Sequence, residues 1–228
     1  MTENKQTDNI EAVISEEKSC ECDEMNVLEC ASSNNFNYGL EEMFVMSDIE
    51  DRKLFINGEI TPETRANISY HIMRYNALDI DVPVTERTPI IIYISSTGGS
   101  TWDGMGICDC IKNSKTPVIG VCTSYALSMG FYIYISCHKR YASENAFFLN
   151  HEGRDGDYGS PSKVDDYWRF GQKYKERLMQ FVVSRTKLSI KDLKKTERIE
   201  NYYFADEAKT LGIVDSIIGK DCDIDEVV

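Results

Sequence analysis

The chain is short of nearly every pattern that would tie it to a metal, a nucleic acid or a bilayer. Histidine occurs only three times. The Cys-x-Cys pairs Cys20/Cys22 and Cys108/Cys110 lack the two-residue gap of a zinc knuckle, so no metal site is expected. No stripe of Lys and Arg is present, which argues against nucleic acid as a partner. No apolar run approaches the length of a membrane span, so no membrane association is expected. The first residues, Met-Thr-Glu-Asn-Lys, show no apolar segment behind a positive start and hence no signal peptide. There is no Gly-x-x-x-x-Gly-Lys phosphate loop and no internal repeat. A cytoplasmic protein with reduced thiols is the expectation, with Cys122 and Cys137 as small buried hydrophobes inside apolar runs.

What the chain does have is acidic charge, unevenly spread. Of the overall −13, residues 1–51 hold fourteen acidic side chains and two lysines, a net of −12. Residues 220–228 hold four acids and one lysine, a net of −3, which leaves 52–219 at +2. A near-neutral globular body with acidic ends follows. We read 1–43 as an acidic, disordered arm, 44–219 as one domain long enough to bury a core, and 220–228 as an acidic tail.

Within the body, Lys53 to Ile56 reads as a strand closed by the turn pair Asn57-Gly58. Thr61-Pro62-Glu63 is a helix start, with a capping threonine and proline at the first position. Pro89 to Ile94 is continuous and β-branched, as in a strand covered on both faces, and it ends in Thr97-Gly98-Gly99-Ser100. A helix through Trp102 and Ile111, a strand over Val118–Cys122, a buried helix around Phe131 and a strand over Ala146–Leu149 follow. This is the βαβ rhythm of an α/β layer structure. After the polar loop 152–161, a long helical pattern runs from Ser162 to about Lys187, longer than a crossover requires. Short helices from Ser189 and Phe204, then a strand over Ile213–Ile218, complete the chain.

Ser128 stands where the Val118 strand hands over to the buried helix, near unpaired amides and the positive end of the helix dipole. The plainer reading makes it an N-cap serine. His151 ends the third strand, and Gly98-Gly99 ends the first. In an open parallel sheet such strand ends share one crevice, so a nucleophile, a base and a glycine turn presenting amides can meet.

From Asp51 to about Gly219 the chain resembles the proteolytic subunit of the Clp protease family, serine peptidases of the ClpP/crotonase fold. The resemblance is carried by Tyr93-Ile94-Ser95-Ser96-Thr97-Gly98-Gly99-Ser100, by Ser128-Met129-Gly130, by Leu149-Asn150-His151, and by Asp206-Glu207-Ala208 with Leu211-Gly212-Ile213-Val214-Asp215. It implies an α/β fold of repeated β-β-α layers with a projecting handle helix, and a serine endopeptidase without cofactor. Ser128 would be the nucleophile and His151 the base, with the backbone amides of Gly99 and Met129 as oxyanion hole. The third member departs from the family's aspartate: counting back seven from Glu207 gives Glu200. Glu200 as a solvated helix-end acid is the competing reading, and Asp155 and Asp157 are nearer His151 in sequence.

The resemblance further implies protein or peptide substrates, a homo-oligomeric ring, two such rings stacked through the handle, and an AAA+ unfoldase as partner. Ser96-Thr97 in place of Ser-Pro, Glu-Gly after His151 and the acidic arm mark a divergent member, of a kind with phage or prophage relatives. A capsid-maturation protease of the same fold, an inactive ring-forming subunit, and a crotonase-type coenzyme A enzyme are the alternatives. Ser-Met-Gly at the helix start argues against the last.

Overall fold

The apolar run Ile90–Ile94 is the spine around which the sheet is built. The structure, a computed structural model, describes residues 40–153, 159–195 and 199–227. The acidic arm therefore lies outside the described residues, except from Leu40 onward. The chain divides into a unit ending at Ser47 and a unit from Asp48 to Val228. Helix α1 is Leu40–Glu50, and all that follows concerns the second unit.

Its elements are β1 (Lys53–Ile60), α2 (Pro62–Leu78), β2 (Ile90–Gly99), α3 (Thr101–Asn113), β3 (Val118–Leu127), α4 (Met129–Ser136), β4 (Lys139–Ala142), β5 (Phe147–Asn150), α5 (Pro161–Arg185), α6 (Ile190–Lys195), β6 (Asn201–Phe204), α7 (Ala205–Thr210) and β7 (Ser216–Ile217). That makes seven helices and seven strands among the described residues, a mixed α/β fold with a mostly parallel sheet. The α2 start is as predicted: Thr61 accepts from the Thr64 amide, Thr64 returns the bond, and Pro62 sits in the first turn.

The sheet forks at β3. Strands β1, β2, β3, β4 and β7 form a parallel run, while β5 also pairs with β3 and carries the antiparallel β6. The first half of β3, Ile119–Cys122, faces β4, and its last residues, Tyr125–Leu127, face β5. Thr123 and Ser124 lie between, where the β2–β3 register also slips. One strand thus serves two neighbours along a single edge, and β5 is brought level with the turn that follows β3.

Ile90, Ile92 and Ile94 are fully buried on the face covered by α2, α3 and α4, each contributing about 1.5–3 kcal/mol. The opposite face is only partly covered. There Ile91, Tyr93, Ile119, Val121 and Tyr141 meet Ile218, Cys222 and Val227. Phe55 stacks on Tyr93 at 5.2 Å and stays half exposed. So the expectation of two fully covered faces holds for one face only.

Four further elements differ from the sequence reading. Asn57-Gly58 does not close β1: the strand continues to Ile60 through a register shift, with Gly58 at φ +87° supplying the irregular backbone. Strands β4 and β6 are additional to the predicted set. The last strand contracts to Ser216–Ile217, because Asp215 is taken by Arg140, whose guanidinium and backbone amide both donate to its carboxylate.

Candidate active site

Ser128 sits in a strained strand-to-helix turn. Its φ of 52° and ψ of −119° are unusual for a residue with a Cβ. The turn is pinned by its own amide, which donates to Leu149 O at 2.9 Å and so fixes Ser128 to the end of β5. Ser128 occupies the N-cap position of α4 but makes no side-chain cap bond to it, which leaves its hydroxyl uncommitted to the helix. The first-turn amides of α4, Met129 at their head, precede the helix's own acceptors and carry its positive end.

Small residues make this turn possible. A Cβ on Gly98 would come within 2.6 Å of the Ser128 Cβ and 2.9 Å of Met129 N. One on Gly130 would meet the Ser96 Cβ at 2.9 Å, and one on Gly104 of α3 would meet the Met129 side chain at 2.2 Å. Gly98 and Gly99 adopt φ of +94° and +144°. The Gly98 amide is taken by Ser96 Oγ at 3.1 Å, and Ser96 Oγ donates in turn to Gly58 O at 2.6 Å. Ser100 N donates to Ile60 O, which ties the end of the glycine turn to β1.

His151 follows β5 directly. Strand β6 pairs antiparallel with β5 as Phe147↔Phe204, Phe148↔Tyr203, Leu149↔Tyr202 and Asn150↔Asn201. Extending the register by one residue sets Glu200 opposite His151, and residues so paired point to the same face. Glu200 Oε1 lies 3.8 Å from His151 Nδ1, an ion-pair distance too long for a hydrogen bond. The other oxygen, Oε2, accepts from the Tyr202 hydroxyl at 3.0 Å. The His151 side chain is 22% exposed and that of Glu200 56%.

Beside His151 a cleft of about 660 Å³ opens between the body and α5. Gly99, Ser100, Trp102, Asn150 and His151 contribute from the body, and Trp168, Tyr174 and Leu178 from α5. Trp102 stacks on Tyr174 at 5.0 Å and Phe170 at 5.7 Å, holding the first half of α5 against α3. Only Phe181 and Val182 of that 25-residue helix are buried, and Trp168 is 67% exposed. Among the described residues no group of three His, Cys, Asp or Glu side chains converges to hold a metal ion, and no helix is long and apolar enough to cross a membrane.

The structure therefore brings Ser128, the Gly98-Gly99 turn, His151 and Glu200 to one side of the fork. Asp155 and Asp157 lie outside the described residues. Asp215 is bound to Arg140, at the far end of β4. The sequence reading gave Ser96 and Trp102 no role in the site and passed over Tyr202. Tyr202 gave a usable signal, since it stands two residues after the candidate acid and so on the same strand face.

A family model described as Clp protease matches residues 41–221, taking in every strand and helix that builds this region. The match spans most of the chain. With an uncapped serine at the strained turn, a glycine pair beside it and a histidine at the neighbouring strand end, it settles the kinship: the chain belongs to the Clp protease family, whose members are serine peptidases.

Proposed function

We propose that the chain is an endopeptidase in which Ser128 is the nucleophile, His151 the general base and Glu200 the acid that holds it. His151 takes the Ser128 proton as the hydroxyl attacks a peptide carbonyl, then delivers it to the departing amine. Glu200, against Nδ1, fixes the imidazole tautomer that leaves Nε2 to work. The amides of Gly99 and Met129 stabilise the oxyanion, each being worth roughly 10²–10³ in turnover. The 3.8 Å separation between His151 and Glu200 fits a resting site that tightens when substrate binds.

The observation that carries this reading is the bond from Ser128 N to Leu149 O, which ties the strained serine turn to the strand that leads directly into His151. A fluorophosphonate tests it. Wild type should label at Ser128 and Ser128→Ala should not; equal labelling of both removes the nucleophile assignment. Replacing Glu200 with alanine should slow turnover about 10³–10⁴-fold.

The substrate is a polypeptide, bound along the cleft beside α5, and the working form is a ring, two of which stack through α5. The exposed Trp168, with Val164 at 38% one turn before it, gives that helix an apolar patch of the kind that meets a partner. Sedimentation should show a large oligomer that Trp168→Glu reduces; a monomeric wild type would sink the ring. Any ATP-driven unfolding belongs to a separate unfoldase, because this chain has no phosphate loop of its own.

A further inference from the structure

We propose that Tyr202 is a positioning residue for the acid: its hydroxyl holds the Glu200 carboxylate so that Oε1 faces His151. This rests on the assignment of Glu200 as the triad acid and extends it to a residue that the assignment does not use.

Three observations carry it. The Tyr202 hydroxyl donates to Glu200 Oε2 at 3.0 Å, while the opposite oxygen is the one 3.8 Å from His151 Nδ1. A carboxylate held through Oε2 is oriented with Oε1 toward His151. Glu200 also immediately precedes β6 and Tyr202 lies two residues on, within it, so extended backbone sets the two side chains on one face. Finally, the ring that carries the hydroxyl is braced. Tyr202 lies 6.4 Å from Phe147 of β5, which lies 5.9 Å from Tyr125 of β3, so three strands contribute to one aromatic row.

The need for such a grip follows from the side chains. Glutamate has one more rotatable bond than aspartate, and this one is 56% exposed with no burial to hold it. Left alone it would sample rotamers that turn the carboxylate into solvent. The hydrogen bond to Glu200 also pushes the phenol pKa of Tyr202 upward.

The test is the rate of Ser128 labelling by a fluorophosphonate in the full-length chain, for wild type, Tyr202→Phe, Glu200→Ala and the double variant. Phenylalanine keeps the ring on Phe147 and removes only the hydroxyl at a half-exposed position, so melting temperature and oligomer size should match wild type. Tyr202→Phe is expected to slow labelling about tenfold, the scale of one charge-assisted hydrogen bond. In the Glu200→Ala background the same substitution should do nothing, because Tyr202 then has no acid to hold. A tenfold loss that persists there shows Tyr202 acting elsewhere and overturns the proposal. So does an unchanged or faster rate for Tyr202→Phe while Glu200→Ala is slow. If Glu200→Ala labels at the wild-type rate, the acid assignment itself falls, and the role of Tyr202 with it.

Discussion

Replacing Gly98 with alanine strikes the site through geometry alone. The residue sits at φ +94°, which costs a Cβ-bearing side chain about 1 kcal/mol. Its new methyl would stand 2.6 Å from the Ser128 Cβ and 2.9 Å from both Leu127 O and Met129 N, against roughly 3.5–4.0 Å for unstrained carbon contacts. Two of those three neighbours are backbone atoms of the turn that carries Ser128. Relief therefore moves the turn or the glycine loop, at an overpacking cost of about 1–3 kcal/mol. The sum, about 2–4 kcal/mol, corresponds to a fall in Tm of roughly 5–12 °C for a chain of this size. A shift of Ser128 by about 1 Å should slow fluorophosphonate labelling on the order of 10²-fold. Gly58→Ala separates strain from collision: Gly58 has φ +87° but no atom within 4 Å of its Cβ position. It should lose only about 1 kcal/mol and label normally. Thermal melts at fixed protein concentration and labelling time courses decide the matter. If the two variants behave alike, crowding at Gly98 does not position Ser128, and the account of the turn is wrong.

Other perturbations probe the frame around the site. Asp79→Asn should destabilise by about 3–5 kcal/mol, since it removes the partner of Arg52 from a bidentate pair at 2.6 and 2.7 Å whose carboxylate is only 6% exposed. The Arg52 hydrogen bond holds the Asp79 carboxyl below its usual 3.8, so this contribution is present above that pH. It is lost as pH falls further, and acid denaturation curves of wild type and variant should converge there. Arg185→Met strips donors at 2.8, 3.0 and 2.7 Å from the carbonyls of Ile135, Ser136 and Cys137, and denaturant melts should register a loss of about 2–4 kcal/mol. Trp102→Ala removes two aromatic pairs worth about 0.5–1.5 kcal/mol each. Hydrogen exchange should then quicken in the first half of α5 and stay unchanged around Phe181 and Val182.

How far the sequence foretold all this depends on what kind of signal each element left. Ile90–Ile94 was readable because a β-branched run in a central strand has few other meanings. Strand β6 was not, because Asn-Tyr-Tyr-Phe owes its conformation to pairing with β5 rather than to a pattern of its own. Strand β4 escaped notice for a similar reason, since Lys139-Arg140-Tyr141-Ala142 has two charges in four residues and is fixed by β3 and β7. Asn57-Gly58 looked like a turn and is a point where the β1–β2 register shifts inside a continuing strand: glycine reports a positive φ without saying which structure uses it. At the site, Ser128 and His151 were visible as strand ends. The placement of Glu200 was reached by likeness to a family and by counting, and its place opposite His151 depends on a register that no local pattern encodes. Tyr202 was within reach, two residues on, but only a known β6 gives that spacing its meaning.

The fork at β3 also has a consequence in time. Strands β1, β2 and β3 are consecutive along the chain and can associate as soon as they are made, whereas β6, which neighbours Glu200, comes near the carboxyl end and docks on the short branch strand β5. The proposed site is therefore incomplete for most of synthesis: the serine turn can be formed while the acid is still unmade or undocked. Native-state hydrogen exchange should show the same order in reverse, with β6 amides opening before those of β2; equal protection of the two would contradict it.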